Sequence, residues 1–298
     1  WKALAHKTDY SVFFQQKELI NKAVEEISKI NIPDYQIEVS GARITSIDET
    51  NIATELTGRE TTNLKVKYNL YDYLEEFSES TSLDYKASAE ILLKINNHSH
   101  FVKNPPRFIA EAIHTMKNVL LDEMFRGLTY NVVGGYDEDF DALFPLLVKQ
   151  NTQFNYPRGI RDTPNKGIYD GFVYDSGVES DFGLHAEHDP EVVCFLKLPN
   201  WYKIRTPIGE YEPDFGLVMK RKSLKTGDET EYYFVIETKG TNDINDKKAL
   251  TESEVYKIKC AMKHFETLGV EVHYKAPVKE YNYFQREADK TINALNEK

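Results

Sequence analysis

Three residues carry the most specific chemistry in this chain: Asp214, Glu237 and Lys239. They lie in RTPIGEYEPDFGLVMKRKSLKTGDETEYYFVIETKG, residues 205–240, which reads as two strands joined by a polar turn. Asp214 falls on the first strand. Glu237 and Lys239 close the second, whose aromatic and β-branched run Tyr232–Thr238 has the composition of a buried strand. Strand side chains alternate, so Glu237 and Lys239 share a face. A turn centred on Lys225-Thr226 sets Asp214 opposite Glu237, and one centred on Thr226-Gly227 sets it opposite Lys239. Either register gathers two acids and a lysine, whereas a one-residue slip turns Asp214 away.

Adjacent carboxylates repel by roughly 4 kcal/mol at a separation of about 4 Å and an effective dielectric near 20. A buried pair therefore needs a shared proton or a cation. Hard oxygen ligands on strands, with room for water, suit Mg²⁺. The metal would acidify a bound water and offset phosphate charge while the lysine holds the attacking water, which is phosphodiester hydrolysis. The string PD…ExK is short, and a surface hairpin with a cross-strand Lys–Glu pair would also produce it. Charges that end an otherwise apolar strand favour the site, because buried charges are paired or metal-bound.

At 298 residues the chain is long enough for two cores. Its 41% hydrophobic and 29% charged content is that of a soluble globular protein, with no apolar stretch of membrane-span length and no signal-peptide pattern. Cys194 and Cys260 form no CxxC, supply no zinc set and fit a reducing compartment, so the expected location is the cytoplasm. A net charge of −11 argues against a free-standing nucleic-acid binder, unless a partner or another segment supplies the basic grip. No GxxxxGK[ST] occurs, so no ATP site is expected. The start at Trp1 rather than Met is that expected of a fragment or a processed product.

The positioning elements follow from periodicity. Residues 8–14 alternate as a strand, and Leu19, Ile20, Ala23, Val24 and Ile27 mark a helix over 16–30. Ile37 and Val39 suggest a strand that Ile44 and Ile47 extend past Gly41, residues 48–63 read as a polar loop, and 64–70 as a strand. Helical pieces are expected near 71–77 and 83–95. Asn104-Pro105-Pro106 then opens a long helix with Phe108, Ile109, Ala112, Ile113, Met116, Leu120 and Met124 inward. The acidic run Asp137–Asp141 fits a solvated loop better than a metal site. A proline- and glycine-containing stretch, 151–167, places the boundary between a connecting domain, 1–150, and a second domain, 157–298.

In the second domain, 169–174 reads as a strand and 176–188 as a helix. Ser176 and Glu179 have capping-box spacing, and on spacing alone the cap outweighs a role for Glu179 as a third acid of the site. His185, Glu187 and His188 lack companion ligands. A strand over 192–198 precedes the hairpin. A helix over 251–268 ending at Gly269 follows it, then a strand over 270–274 and a helix over 278–295. Lys257 and Lys259 could reach DNA phosphates, although a solvated face is the usual explanation for such lysines. The order implies an α/β sandwich around a mixed sheet, preceded by a smaller α+β domain.

These residues resemble the C-terminal endonuclease part of the restriction subunit of Type III restriction-modification enzymes. The resemblance rests on YDSGVES (174–180), FLKLPNWYKIRTPIGEYEPDFGLV (195–218), YYFVIETKG (232–240) and the ExxKIKCAMKHF run (254–265), and it is specific over 166–269. It implies a PD-(D/E)XK restriction-endonuclease-like fold, with Asp214, Glu237 and Lys239 as the catalytic motif and Mg²⁺ as the cofactor. It also brings Glu179 into the site alongside any capping. Glu212 departs from the family pattern, which has a neutral polar residue there. The family further implies double-stranded DNA as substrate, a helicase motor that uses ATP outside this chain, and a methyltransferase partner that reads the DNA. Two other readings compete: a repair or recombination nuclease of the same fold, and a non-catalytic module docking motor to methyltransferase.

Overall fold

The computed structural model describes residues 6–33, 36–47, 52–63, 70–135, 159–222, 227–269 and 272–296. In chain order the elements begin with β1 (His6–Val12), α1 (Gln16–Ile27), β2 (Gln36–Ile47), β3 (Ile52–Asn63), α2 (Leu70–Thr81) and α3 (Tyr85–Lys94). Next come α4 (His98–Lys103), α5 (Pro105–Arg126), β4 (Leu128–Gly135), β5 (Ile160–Asp162), β6 (Gly171–Val173), α6 (Gly177–His188) and β7 (Val192–Lys197). The chain closes with β8 (Ile204–Thr206), β9 (Gly209–Tyr211), β10 (Phe215–Lys222), β11 (Glu229–Thr238), α7 (Glu252–Leu268), β12 (Val272–Val278) and α8 (Tyr281–Asn296). The chain divides into two compact units, one of residues 14–126 and one of residues 1–13 with 127–298. Of the stretch 151–167 in which the boundary is expected, residues 151–158 lie outside the described residues and 160–162 form β5.

The 14–126 unit has a helical core. Leu19, Ile20, Ala23 and Ile27 of α1 pack with Ala87 and Ile91 of α3 and with Phe108, Ile109, Ala112, Met116 and Val119 of α5; Val119 is buried where the expected stripe had Ile113 and Leu120, which are only partly buried. Asp84 caps α3 by accepting from Ala87 N at 2.8 Å, and Asn104 Oδ1 accepts from Arg107 N at 3.3 Å at the start of α5. Residues 48–63 read as a loop in the sequence, but 52–63 form a strand paired antiparallel to β2. The correction has a simple reason: threonines make the segment look polar, yet β-branched residues favour extended backbone. The strand expected over 64–70 falls largely outside the described residues, and Leu70 begins α2.

The other unit holds a four-stranded mixed sheet in the order β12-β11-β10-β7. Strand β10 runs antiparallel to β11 and β7, and β12 runs parallel to β11. One face carries Phe195, Phe215, Leu217, Met219, Phe234 and Ile236, packed against Phe182 and Ala186 of α6 and Tyr281, Phe284, Ala288 and Ile292 of α8. Helix α7 lies against β12, β4 and β8. A Thr251–Glu254 capping box starts it, and Gly269 ends it at φ 58°, a conformation that suits a residue without Cβ. This is a mixed α/β fold with its sheet flanked by helices. No described helix is long and apolar enough to cross a membrane.

Candidate active site

The β10–β11 register is unambiguous. Phe215 faces Ile236, Leu217 faces Phe234 and Lys222 faces Glu229. Continued one step, that register sets Asp214 opposite Glu237, as a turn centred on 225–226 requires; residues 223–226 themselves lie outside the described residues. Asp214 stands just before β10 and is fixed at every polar atom. Its amide donates to Ile236 O at 3.0 Å, and its carbonyl accepts from Leu198 N at 2.8 Å. Its Oδ2 accepts from Thr238 N and Oγ1, each at 2.7 Å, and Oδ1 from Lys197 Nζ at 2.7 Å.

Lys197 closes β7, and its ammonium also donates to Glu179 Oε2 at 2.6 Å. Glu179 does two jobs. Its amide donates to Ser176 Oγ at 3.2 Å in the cap of α6, while Oε1 accepts from Ser176 Oγ at 3.2 Å and Oε2 from Asp175 N at 3.1 Å. The acid is buried and reaches the same lysine as Asp214. Burial would lower the Lys197 pKa, but the Asp214 and Glu179 carboxylates outweigh it and hold the ammonium above the ordinary lysine value.

A second ion-paired group stands beside the first. Lys239 Nζ lies 3.0 Å from Glu237 Oε1 and 3.4 Å from Glu254 Oε1 on α7. Glu237 is 3% exposed, and its Oε2 has no hydrogen-bond partner. The nearby Tyr211 hydroxyl contacts Tyr274 Oη and also interacts with the Glu237 carboxylate. Loss of water and then the charge of Asp214 push the Glu237 carboxyl up to about 8, against smaller opposing pulls from Lys239 and the Tyr211 hydroxyl.

This donor set fits a divalent cation. Glu237 Oε2 is a buried hard oxygen without a donor, Asp214 is close enough to raise its pKa, and added positive charge would favour both carboxylates. Among the described residues no group of three or more His, Cys, Asp and Glu is gathered as metal ligands, so water and substrate oxygens would complete the coordination.

The remaining candidates separate. Lys257 Nζ donates to Glu210 O at 2.9 Å, and Lys259, two positions on, lies on a different side of α7. Glu212 is exposed and pairs with Lys203 at 3.1 Å. His185 and His188 each bond a backbone carbonyl of their own helix, at 2.7 and 2.8 Å. The acidic run at 137–141 lies outside the described residues.

Residues 165–281 match a family model described as an endonuclease domain. The segment is similar to a restriction-type endonuclease domain, and the match points to nuclease activity on DNA. It spans the Glu179, Lys197, Asp214, Glu237, Lys239 and Glu254 positions, and the mixed sheet between helices is consistent with a restriction-endonuclease-like fold. No curated protein and no solved structure matches the chain.

Sequence reasoning missed Lys197 and Glu254. Lys197 ends the apolar run VVCFLK just as Glu237 ends its own, so the same criterion would have found it. Glu254 is the acidic member of a capping box, and nothing local distinguishes it from an ordinary cap.

Proposed function

We propose that residues 157–298 form the Mg²⁺-dependent nuclease of a Type III restriction subunit, hydrolysing phosphodiester bonds of double-stranded DNA in a cytoplasmic, ATP-driven complex. The observation that carries this reading is Glu237 Oε2, a buried carboxylate oxygen without a donor, set beside Asp214 and Lys239 within the segment that resembles an endonuclease domain. Mg²⁺, when bound, would acidify a water and offset charge on the scissile phosphate. Asp214 and Glu237 would hold it, with Glu179 contributing from α6. Lys239, between Glu237 and Glu254, would orient the attacking water and stabilise negative charge as it develops on the phosphate. Lys257 and Lys259 would add phosphate contacts, Lys257 after leaving Glu210.

A chain of net charge −11 without a phosphate-binding loop leaves DNA grip and ATP hydrolysis to other parts: a helicase motor of the same subunit and a methyltransferase that reads the site. The test is plasmid cleavage by the assembled enzyme under ATP and Mg²⁺. Asp214→Ala is expected to abolish cutting while ATPase activity persists. Cutting at the wild-type rate would sink the nuclease reading in favour of a docking module.

A further inference from the structure

Lys197 has no part in the hydrolysis just described, yet it is the most heavily engaged cation of the site. It ties together α6, β7 and the approach to β10. Its Nζ stands 2.6 Å from Glu179 Oε2 and 2.7 Å from Asp214 Oδ1, with side-chain exposures of 21% for the lysine, 10% for the glutamate and 16% for the aspartate. The ring of Phe215 lies beneath it, 5.1 Å from Nζ to the centroid. The other oxygen of Asp214 is held by Thr238 N and Oγ1. Asp214 can therefore turn an oxygen to a new cation without breaking its backbone bond only at Oδ1, where Lys197 already sits.

We propose that Lys197 is the internal counter-ion of the metal-free site: it holds Glu179 and Asp214 together in place of a metal, and a divalent cation binds by competing with its ammonium. The inference rests on the metal-dependent reading of the site and specifies how the metal enters. Two like charges sharing one carboxylate oxygen repel strongly in a partly dry site, so the ammonium must withdraw from Asp214 as the metal arrives. Until then the ammonium offsets the repulsion between two neighbouring acids, at 2.6 Å from one and 2.7 Å from the other. Glu237, whose Oε2 has no donor, offers the first oxygen free to receive the cation.

The experiment measures Mn²⁺ binding to the full chain by electron paramagnetic resonance, for wild type, Lys197→Met and Asp214→Asn. Removing the ammonium deletes the competitor and leaves the acids in need of a cation, so Lys197→Met is expected to bind Mn²⁺ on the order of tenfold more tightly. Equal or weaker binding by Lys197→Met, with wild-type binding still dependent on Asp214, overturns the competition and leaves the metal site standing. No Asp214-dependent Mn²⁺ binding in either protein overturns the metal reading itself. A second measurement needs no variant. Lys197 in the wild-type chain, labelled with an amine-acylating reagent and quantified by mass spectrometry, is expected to react several-fold faster with Mg²⁺ than without it. An unchanged or slower rate means that the ammonium stays in place, and the proposal fails whether or not Lys197→Met folds.

Discussion

Glu187 and Glu237 are both buried, at 4% and 3% exposure, in the same unit, and they behave in opposite ways. Glu187 collects the amides of Asn165, Lys166 and Gly167 together with the Asn165 side chain, at 2.6 to 3.2 Å. Burial tends to raise its pKa, but those donors outweigh it and hold the carboxyl below the usual glutamate range. Glu237, as deeply set, has one cation on Oε1 and no well-formed hydrogen bond on Oε2, and is pushed up to about 8. The difference separates two uses of a buried acid. One pins a loop and is satisfied by the protein itself. The other is left short of positive charge, which is the condition a bound metal would meet.

The largest expected effect breaks the comparison by pH. An unfolded Glu237 loses its proton near 4.5, whereas the folded one keeps it to about 8. Between those values the native state holds the extra proton, so this group's contribution to stability falls as pH rises, by on the order of 5 kcal/mol in all. Urea unfolding of metal-free protein is expected to show that slope in wild type and not in Glu237→Gln, and parallel pH profiles would refute it. Saturating Mn²⁺ is expected to flatten the wild-type slope.

Next in size is Lys239→Ala. It removes a donor to the developing charge and leaves Asp214 and Glu237 in place, so cleavage by the assembled enzyme is expected to drop by about 10²–10³ with folding and Mn²⁺ binding retained. Wild-type cutting would assign Lys239 to structure alone, as a partner of Glu237 and Glu254.

Glu187→Ala supplies the converse. Loop amides are left without their acceptor, and the expected cost is roughly 3 kcal/mol in urea unfolding, with cleavage per folded molecule unchanged. A drop in activity at unchanged stability would place Glu187 on the chemical side of the comparison.

The smallest effect is that of the α7 lysines. Lys257→Ala or Lys259→Ala is expected to lower DNA affinity modestly and to reduce the salt slope by about one for each phosphate that the lysine had neutralised. An unchanged slope in titrations of the assembled enzyme means that neither touches the backbone of DNA.

Part of this contrast is legible in the sequence and part is not. Glu187 and Glu179 both sit on a short helix among other polar residues, and neither spacing announces burial. The cap is visible at Ser176 and Glu179, yet the lysine that joins Glu179 to Asp214 comes from a strand 18 positions further along the chain. The segment 52–63 reads as a polar loop because its threonines hide a β-branched preference for extended backbone that only the pairing with β2 makes visible.

By itself the sequence determined most of the helices and the strands of the main sheet, the cap of α6, the end of α7 at Gly269, and two acids and a lysine on adjacent strands. These depend on local periodicity and on a hairpin whose two arms are neighbours in the chain. Only the tertiary structure decided which charges meet: Lys197 with Glu179 and Asp214, and Lys239 with Glu254 as well as Glu237. It also decided that the loop at 165–167 satisfies Glu187 while Oε2 of Glu237 lacks a donor. The physical reason is that pairing and desolvation depend on what packs across the sheet from distant segments, and a periodicity carries no information about those neighbours.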